Sequence, residues 1–274
     1  MFLQAMLALL SAAGLETGQE PAPQAQDEKR TNEEELLRNL ANPLAGLATV
    51  SLNFDFDYHV GPEEEGHRSS LFLETTLPIH LGDVWSLVSR TALPLVYQEE
   101  VTPGAGNQLG IGDLTEIVYI ARVQPGRFGW IWGLGPLLRA PVGSEDLLSS
   151  RKWAVGPSAA LVRQNDDFTI GLIASQLWSV GGSDQRPGVN VGIYEPFITY
   201  RSEGLWNLSL RVPCAYDYQA RQWTIPVALT VEKLVSFRKV PTTISFGFHY
   251  WVEVPDSAPH DLAFSFGLRF VLPK

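Results

Sequence analysis

From Ala48 to the C-terminus the sequence alternates apolar and polar residues with a period of two. Ala48, Val50, Leu52, Phe54, Phe56 and Tyr58 interleave with Thr49, Ser51, Asn53, Asp55 and Asp57. Trp206, Leu208, Leu210, Val212, Cys214 and Tyr216 do the same against Asn207, Ser209, Arg211, Pro213, Ala215 and Asp217. Trp223, Ile225, Val227, Leu229 and Val231 repeat the pattern, as do Phe246, Phe248 and Tyr250, and then Phe264, Phe266, Leu268 and Phe270. Successive side chains of a strand point to opposite faces, so each such segment is a strand with one apolar and one polar face. This region is therefore all-β.

Turn residues divide it into about twelve strands, near 48–60, 68–81, 84–98, 109–123, 128–140, 152–164, 167–180, 191–201, 205–217, 222–234, 242–254 and 262–273. Most are far longer than the roughly 5 to 6 residues usual in water-soluble sheets. The connections alternate in kind. Gly82-Asp83, Gln124-Pro125-Gly126, Asn165-Asp166 and Ser202-Glu203-Gly204 are tight, whereas 99–108, 141–151 and 181–190 are long and rich in Gly, Pro and charge. The stretch 235–241 reads as the longest connection on the tight side. Long strands, short turns at one rim and long loops at the other specify a transmembrane antiparallel up-and-down β-barrel.

Composition fits this reading. The chain is 45% hydrophobic and only 18% charged, yet its mean hydropathy is +0.00. Alternate residues facing lipid and a wet lumen produce that balance. A formal charge of -10 argues against nucleic acid as a partner. Cys214 stands alone, so neither an intramolecular disulfide nor a cysteine zinc site can form, and the five histidines show no metal-ligand spacing. The glycines at Gly104, Gly106, Gly110 and Gly112 precede no helix and no GK[ST], so no nucleotide loop and no cofactor are expected.

The residues before the barrel read as three pieces. Met1 to Ala13 resembles a signal peptide, with Ser11-Ala12-Ala13 as its cleavage site, although no Lys or Arg precedes the apolar stretch. Residues 14–30, rich in Glu, Gln and Pro, read as a disordered linker. Residues 31–41 read as a short periplasmic helix, capped by Thr31 or Asn32 and stopped at Asn42-Pro43, with the barrel occupying 42–274.

Aromatic residues should mark the two membrane interfaces. Trp85, Trp130, Trp132 and Trp206 fall at strand starts on the periplasmic side, while Tyr58, Tyr97, Trp153, Trp178, Trp223 and Tyr250 fall near the opposite ends. Parity then assigns the lumen. Arg90, Lys152, Arg139, Arg211 and Arg269 point inward with Asp55, Asp57, Glu74, Glu195, Asp217, Glu232 and His249, a wall carrying both signs. Each charge is as well suited to a wall-stabilising ion pair as to solute selection. Parity in 109–123 and 167–180 stays open, because Asp113 and Glu116, and likewise Ser175 and Gln176, fall on opposite faces. Loops or the N-terminal helix are candidates for filling a barrel of this width.

Several stretches carry a family resemblance: Asn42-Pro43-Leu44-Ala45, Leu77 to Gln98, GIGDLT from Gly110, WGLGP from Trp132, WAVGP from Trp153, QWTIPV from Gln222, and the terminal FGLRFVLPK. Together they resemble the bacterial outer-membrane transporters grouped as the meta-pathway of phenol degradation family, some of which carry the label neuromedin U. The resemblance runs from about residue 42 to the end. It implies an outer-membrane barrel of Gram-negative bacteria that passes small, aromatic or apolar molecules, and it brings no catalytic residues. The final residue is Lys274 rather than the aromatic that many such barrels present to the assembly machinery, so Phe270 is the expected substitute.

The expected function is a passive channel for small solutes, with membrane lipid, a small permeant and the barrel assembly machinery as partners. Two other classes compete with it: a lipid-hydrolysing barrel and a closed structural or interaction barrel. Lipid hydrolases work from the outer face, whereas parity turns His249 inward, and no nucleophile, base and acid converge in the sequence. The chain is therefore not expected to be an enzyme.

Overall fold

The computed structural model describes residues 23–273 apart from Val123. The expected signal peptide at 1–13 and the first part of the expected linker lie outside these residues. The first element, α1 (Pro23–Leu40), is an 18-residue helix. It starts at Pro23 rather than Thr31, so residues 23–30, read as linker, are helical. Proline is well placed at a helix start, and a charged, Gln-rich composition suits a solvated helix as well as a disordered tract. The pairs Lys29–Glu33 at 3.8 Å and Arg30–Glu34 at 3.0 Å lie one turn apart and support the helix by a few tenths of a kcal/mol each.

Fourteen strand segments follow. They are β1 (Thr49–Val60), β2 (Gly66–His80), β3 (Trp85–Glu99), β4 (Gln108–Ile111), β5 (Leu114–Arg122), β6 (Trp130–Ala140), β7 (Lys152–Gln164), β8 (Phe168–Gly182), β9 (Asn190–Ser202), β10 (Trp206–Arg211), β11 (Cys214–Asp217), β12 (Gln222–Phe237), β13 (Val240–Glu253) and β14 (Asp261–Val271). Two pairs of segments are single staves with a break, so the fourteen make twelve staves. β4 and β5 share β3 as neighbour and part at Gly112-Asp113. β10 and β11 both lie between β9 and β12 and part at Val212-Pro213, where proline brings no N–H to the ladder. Every neighbour is antiparallel, and β1 pairs with β14 from Thr49↔Val271 to Asp57↔Ala263, which closes the barrel and leaves no free edge.

One connection differs from expectation. β12 and β13 run on to Phe237 and Val240, so the stretch 235–241 contains only a two-residue turn. Arg238 (φ 49°) and Lys239 (φ 70°) both take the left-handed conformation of the hairpin turn that matches strand twist. The long connections, 100–107 and 141–151 among them, all gather at the opposite rim. Below, the two rims are the turn end and the loop end.

On the outer wall Leu52, Phe54, Leu73, Leu95, Leu161, Leu172, Leu208, Phe248 and Phe264 are each about four-tenths exposed. Scattered apolar exposure is ordinary, but a belt continuous around the barrel exceeds what water tolerates and needs hydrocarbon around it. Among the described residues no helix is long and apolar enough to cross a membrane.

Candidate channel lumen

The segment after α1 turns into the barrel from the turn end. Leu44 accepts no water, at 0% exposure, and packs among Val88, Tyr119, Ala121, Ile131, Ala160, Val162, Ile173 and Phe197 from the inner wall. Leu37 and Leu40 bury against Leu234 and Val271. Each leucine gains roughly 1.5–3 kcal/mol from this burial. Its bend is fixed locally, since the amide of Leu44 donates to Asn42 Oδ1 at 2.9 Å.

A helix ends with unpaired carbonyls, and here the barrel supplies the donors. Asn207 Nδ2 donates to Leu37 O at 3.4 Å, Gln164 Nε2 to Arg38 O at 2.8 Å, and Arg269 Nη1 to Leu40 O at 3.0 Å. The amide of Asn42 serves Asn39 O at 3.0 Å. Arg201 Nη1 adds a bond to Glu34 O at 2.8 Å, and Asn42 Nδ2 reaches Gln164 Oε1 at 3.1 Å. The two guanidinium groups also sit at the negative end of the helix dipole. The N-terminal segment is thus a plug, fitted to the inner wall at the turn end.

Above the plug lies a cavity of about 240 Å³, floored by Asn39 to Leu47 and walled by Glu74, Arg90, Arg139, Glu195, Arg211 and Arg269. Arg211 Nε donates to Glu195 at 2.7 Å, and a second bond joins the same two groups. Arg269 lies 3.7 Å from Glu232, whose carboxylate also accepts from Thr243 at 2.7 Å and Asn207 at 3.2 Å. Glu74 accepts from Asn53 Nδ2 at 2.8 Å. Buried carboxylates of this kind are held by several donors rather than by one ion pair. Nearer the loop end, His249 Nε2 is 3.2 Å from Asp57 Oδ1, and Arg68 donates to Gln98 at 3.2 Å.

The register places each residue expected in the lumen. Asp55, Asp57, Glu74, Arg90, Arg139, Glu195, Arg211, Glu232, His249 and Arg269 share the inner face with the residues just described. Lys152 starts β7 at the loop rim, with the parity of the buried Ala154. Asp217 does something else: its Oδ1 accepts from the amides of Gln219 at 2.8 Å and Ala220 at 3.0 Å, so it shapes the 218–221 turn at the rim. The aromatic set falls on the outer wall at the two ends. Trp85 and Trp132 meet edge to face at 5.5 Å at the turn end, and Trp223 lies beside Tyr216 at 4.8 Å, tilted by 45°, at the loop end. Trp130 and Trp206 belong with the first pair, and Tyr58, Tyr97, Trp153, Trp178 and Tyr250 with the second.

The two open parities resolve. Thr115, Ile117 and Tyr119 face inward, so Glu116 faces outward, where Ser89 Oγ donates to it at 2.6 Å and Thr91 Oγ1 donates to its other oxygen. Ser175 faces inward, bonded at 2.7 Å to Ser158, which bonds Tyr119 at 2.8 Å, while Gln176 faces outward and donates to Asn190 at 2.9 Å. Asp113, in the break of the β4–β5 stave, accepts from Ser149 Oγ at 2.6 Å and the Ser150 amide at 2.8 Å, anchoring the 141–151 loop. Arg68, Gln164, Arg201 and the three plug leucines escaped the sequence reading. The spacing of Leu37 and Leu40 was the available signal, because it puts both on one face of the helix.

No protein-family model matches the chain, and no curated protein matches it in sequence. Solved structures do match in shape. An outer-membrane channel from Pseudomonas putida F1 aligns with a TM-score of 0.64 at 16% identity, over 82% of this chain and 96% of that one. The NanC porin aligns at 0.52 and 13% identity, over 82% of this chain and all of that one, at 100%. Outer membrane phospholipase A from Escherichia coli aligns at 0.52 and 13% identity, over 82% and 90%. What these likenesses share with the chain is the fold, a transmembrane β-barrel of the bacterial outer-membrane type.

Proposed function

We propose that this chain is an outer-membrane channel that passes small solutes passively, with the N-terminal plug closing its turn end in the form described. The observation that carries the reading is the charged cavity inside the barrel, directly above the plug. A wall meant only to be packed would be apolar, whereas charged groups around a void suit a hydrated path. The short turns then face the periplasm, where the plug would enter, and the long loops face outward. The resemblance of the sequence to phenol-pathway transporters adds small aromatic or apolar compounds as the permeant class. Phe270 in β14 is the residue offered to the assembly machinery, and the apolar belt is the surface offered to lipid.

The inward position of His249, bonded to Asp57, supports a channel over a lipid hydrolase, since membrane lipid meets the outer wall. Purified protein in planar bilayers tests the reading. Reproducible conductance steps are expected, and Arg90→Ala or Arg211→Ala should shift the reversal potential in a salt gradient. Silence in the bilayer together with cleavage of phospholipid or lipid A would replace the channel with an enzyme.

A further inference from the structure

The four arginines around the cavity are not equivalent. Arg211 is neutralised by Glu195, and Arg269 by Glu232 and the Leu40 carbonyl. Arg90 and Arg139 line the same cavity, yet neither guanidinium makes a hydrogen bond or ion pair among the described residues. The acid whose field reaches Arg139 is Asp113, and its oxygens are occupied by Ser149 and Ser150. Arg90 and Arg139 stand on β3 and β6, with β5 between them, two strand spacings and a two-residue offset apart, about 12 Å along the wall. On β5, Thr115 pairs with Arg139 and Ile117 with Arg90; both line the cavity, and the Thr115 hydroxyl has no partner among the described residues. Ile117 beside Arg90, and Ile193 farther around the wall next to Ser175, add partly buried apolar lining.

Two unpaired guanidinium groups flanking a hydroxyl, with a void before them, form a receptor for a planar oxyanion. Guanidinium binds carboxylate through two parallel N–H···O bonds, a geometry that ammonium or amide groups cannot reproduce. The neighbouring aliphatic surface is of no use to a bare inorganic ion, because only a ligand with an apolar body gains by covering it. We propose that the cavity is a binding site for a small amphiphilic carboxylate, with its oxygens on Arg90, Thr115 and Arg139 and its apolar chain on Ile117 and Ile193. This deepens the channel reading by naming a class of solute, and it rests on that reading only for the ligand's route in.

Equilibrium dialysis of the barrel in lipid nanodiscs against radiolabelled hexanoate, with empty nanodiscs subtracted, tests the site. Saturable uptake approaching one hexanoate per chain is expected, with hexanamide failing to compete. Arg90→Gln with Arg139→Gln should weaken binding by about ten-fold or more, in line with losing charge-assisted bonds. Uptake that does not saturate, equal binding by the double variant, or competition by hexanamide or chloride as strong as by hexanoate would overturn the proposal. Should the double variant lose its heat-modifiable gel mobility and so prove unfolded, Arg90→Lys with Arg139→Lys replaces it. That pair keeps the charge and loses the fork, and unchanged hexanoate affinity would then overturn the site. Saturable binding by a barrel that never conducts would leave the site standing and remove the channel, whereas conductance without saturable binding would do the reverse.

Discussion

Arg269, in the last strand, donates its Nη1 proton to the carbonyl oxygen of Leu40, the last residue of the first helix, at 3.0 Å. The same guanidinium lies 3.7 Å from Glu232. One side chain thus ties the plug to the wall and is itself held by the wall's own acid. Removing it should cost the plugged state about 1.5–3 kcal/mol, the worth of a hydrogen bond to a charged group. Arg269→Ala is therefore expected to raise the open fraction in planar bilayers roughly ten-fold or more, and to expose the helix to added protease. Wild-type conductance and wild-type protection in the variant would show that the plug is held elsewhere.

Leu44 is fully buried, surrounded by the aliphatic and aromatic side chains of the inner wall. Leu44→Asp places a carboxylate where no donor waits, at a cost of several kcal/mol. The barrel itself does not need Leu44 to close its ladder, so the variant should fold, keep its heat-modifiable migration and conduct more than wild type. A parallel Leu44→Met variant, close in volume, should behave as wild type to within about 1.5 kcal/mol.

Glu116 is a carboxylate on the lipid-facing wall, with Ser89 and Thr91 as its donors. Its position there is tolerated because both oxygens are satisfied. Ser89→Ala with Thr91→Val should lower stability by about 1–3 kcal/mol, as expected for a polar group left without partners. Adding Glu116→Leu should recover most of that loss. Urea unfolding of the barrel in vesicles measures both, and a triple variant no more stable than the double would contradict this account.

Gly156 faces Gln176 across the β7–β8 ladder so closely that an added Cβ would overlap the carbonyl oxygen of Gln176. Gly135, on the neighbouring strand, stands in the same relation to the carbonyl of Val118. Each is followed by a proline, Pro157 and Pro136, and these two prolines pair directly. Backbone cannot yield as a flexible side chain can. Gly156→Val should cost about 3 kcal/mol or more, or abolish barrel assembly, while Gly181→Val, where a Cβ meets nothing, should be close to neutral. Gel migration and urea midpoints distinguish the two.

Much of the wall was legible because a barrel obeys one local rule. The parity that turns Asp55 and Asp57 inward and Phe54 and Phe56 outward holds along β1 from Thr49 to Asp57, and likewise where β10 pairs with β12 from Trp206↔Lys233 to Arg211↔Ala228. The exceptions have physical causes that a period of two does not encode. Glu116 carries the outward parity of its strand, but only the facing hydroxyls of Ser89 and Thr91 make a carboxylate bearable there. Asp113 breaks its stave because Ser149 and Ser150, more than thirty residues on, bond its oxygens. Arg238-Lys239 forms a two-residue turn without the Asn-Gly that usually signals one. Asp217 has inward parity, yet its place at the rim lets it cap a turn instead. The plug was the hardest part to see. Leu37 and Leu40 announce an apolar helix face, but what covers them, and what buries Leu44 beyond the helix, lies on strands scattered through the rest of the chain.

That scattering bears on how the molecule is built. The donors that satisfy α1 come from Gln164, Arg201, Asn207 and Arg269, separated from their acceptors by 126, 167, 170 and 229 residues. The helix precedes every strand in the chain, yet its carbonyls find partners only when the final strand is in place. Contacts of such long sequence separation form late, after the entropy of closing the intervening loops has been overcome. The helix, made before the strands, is then the last of the described elements to dock, and the barrel must close before it can be corked.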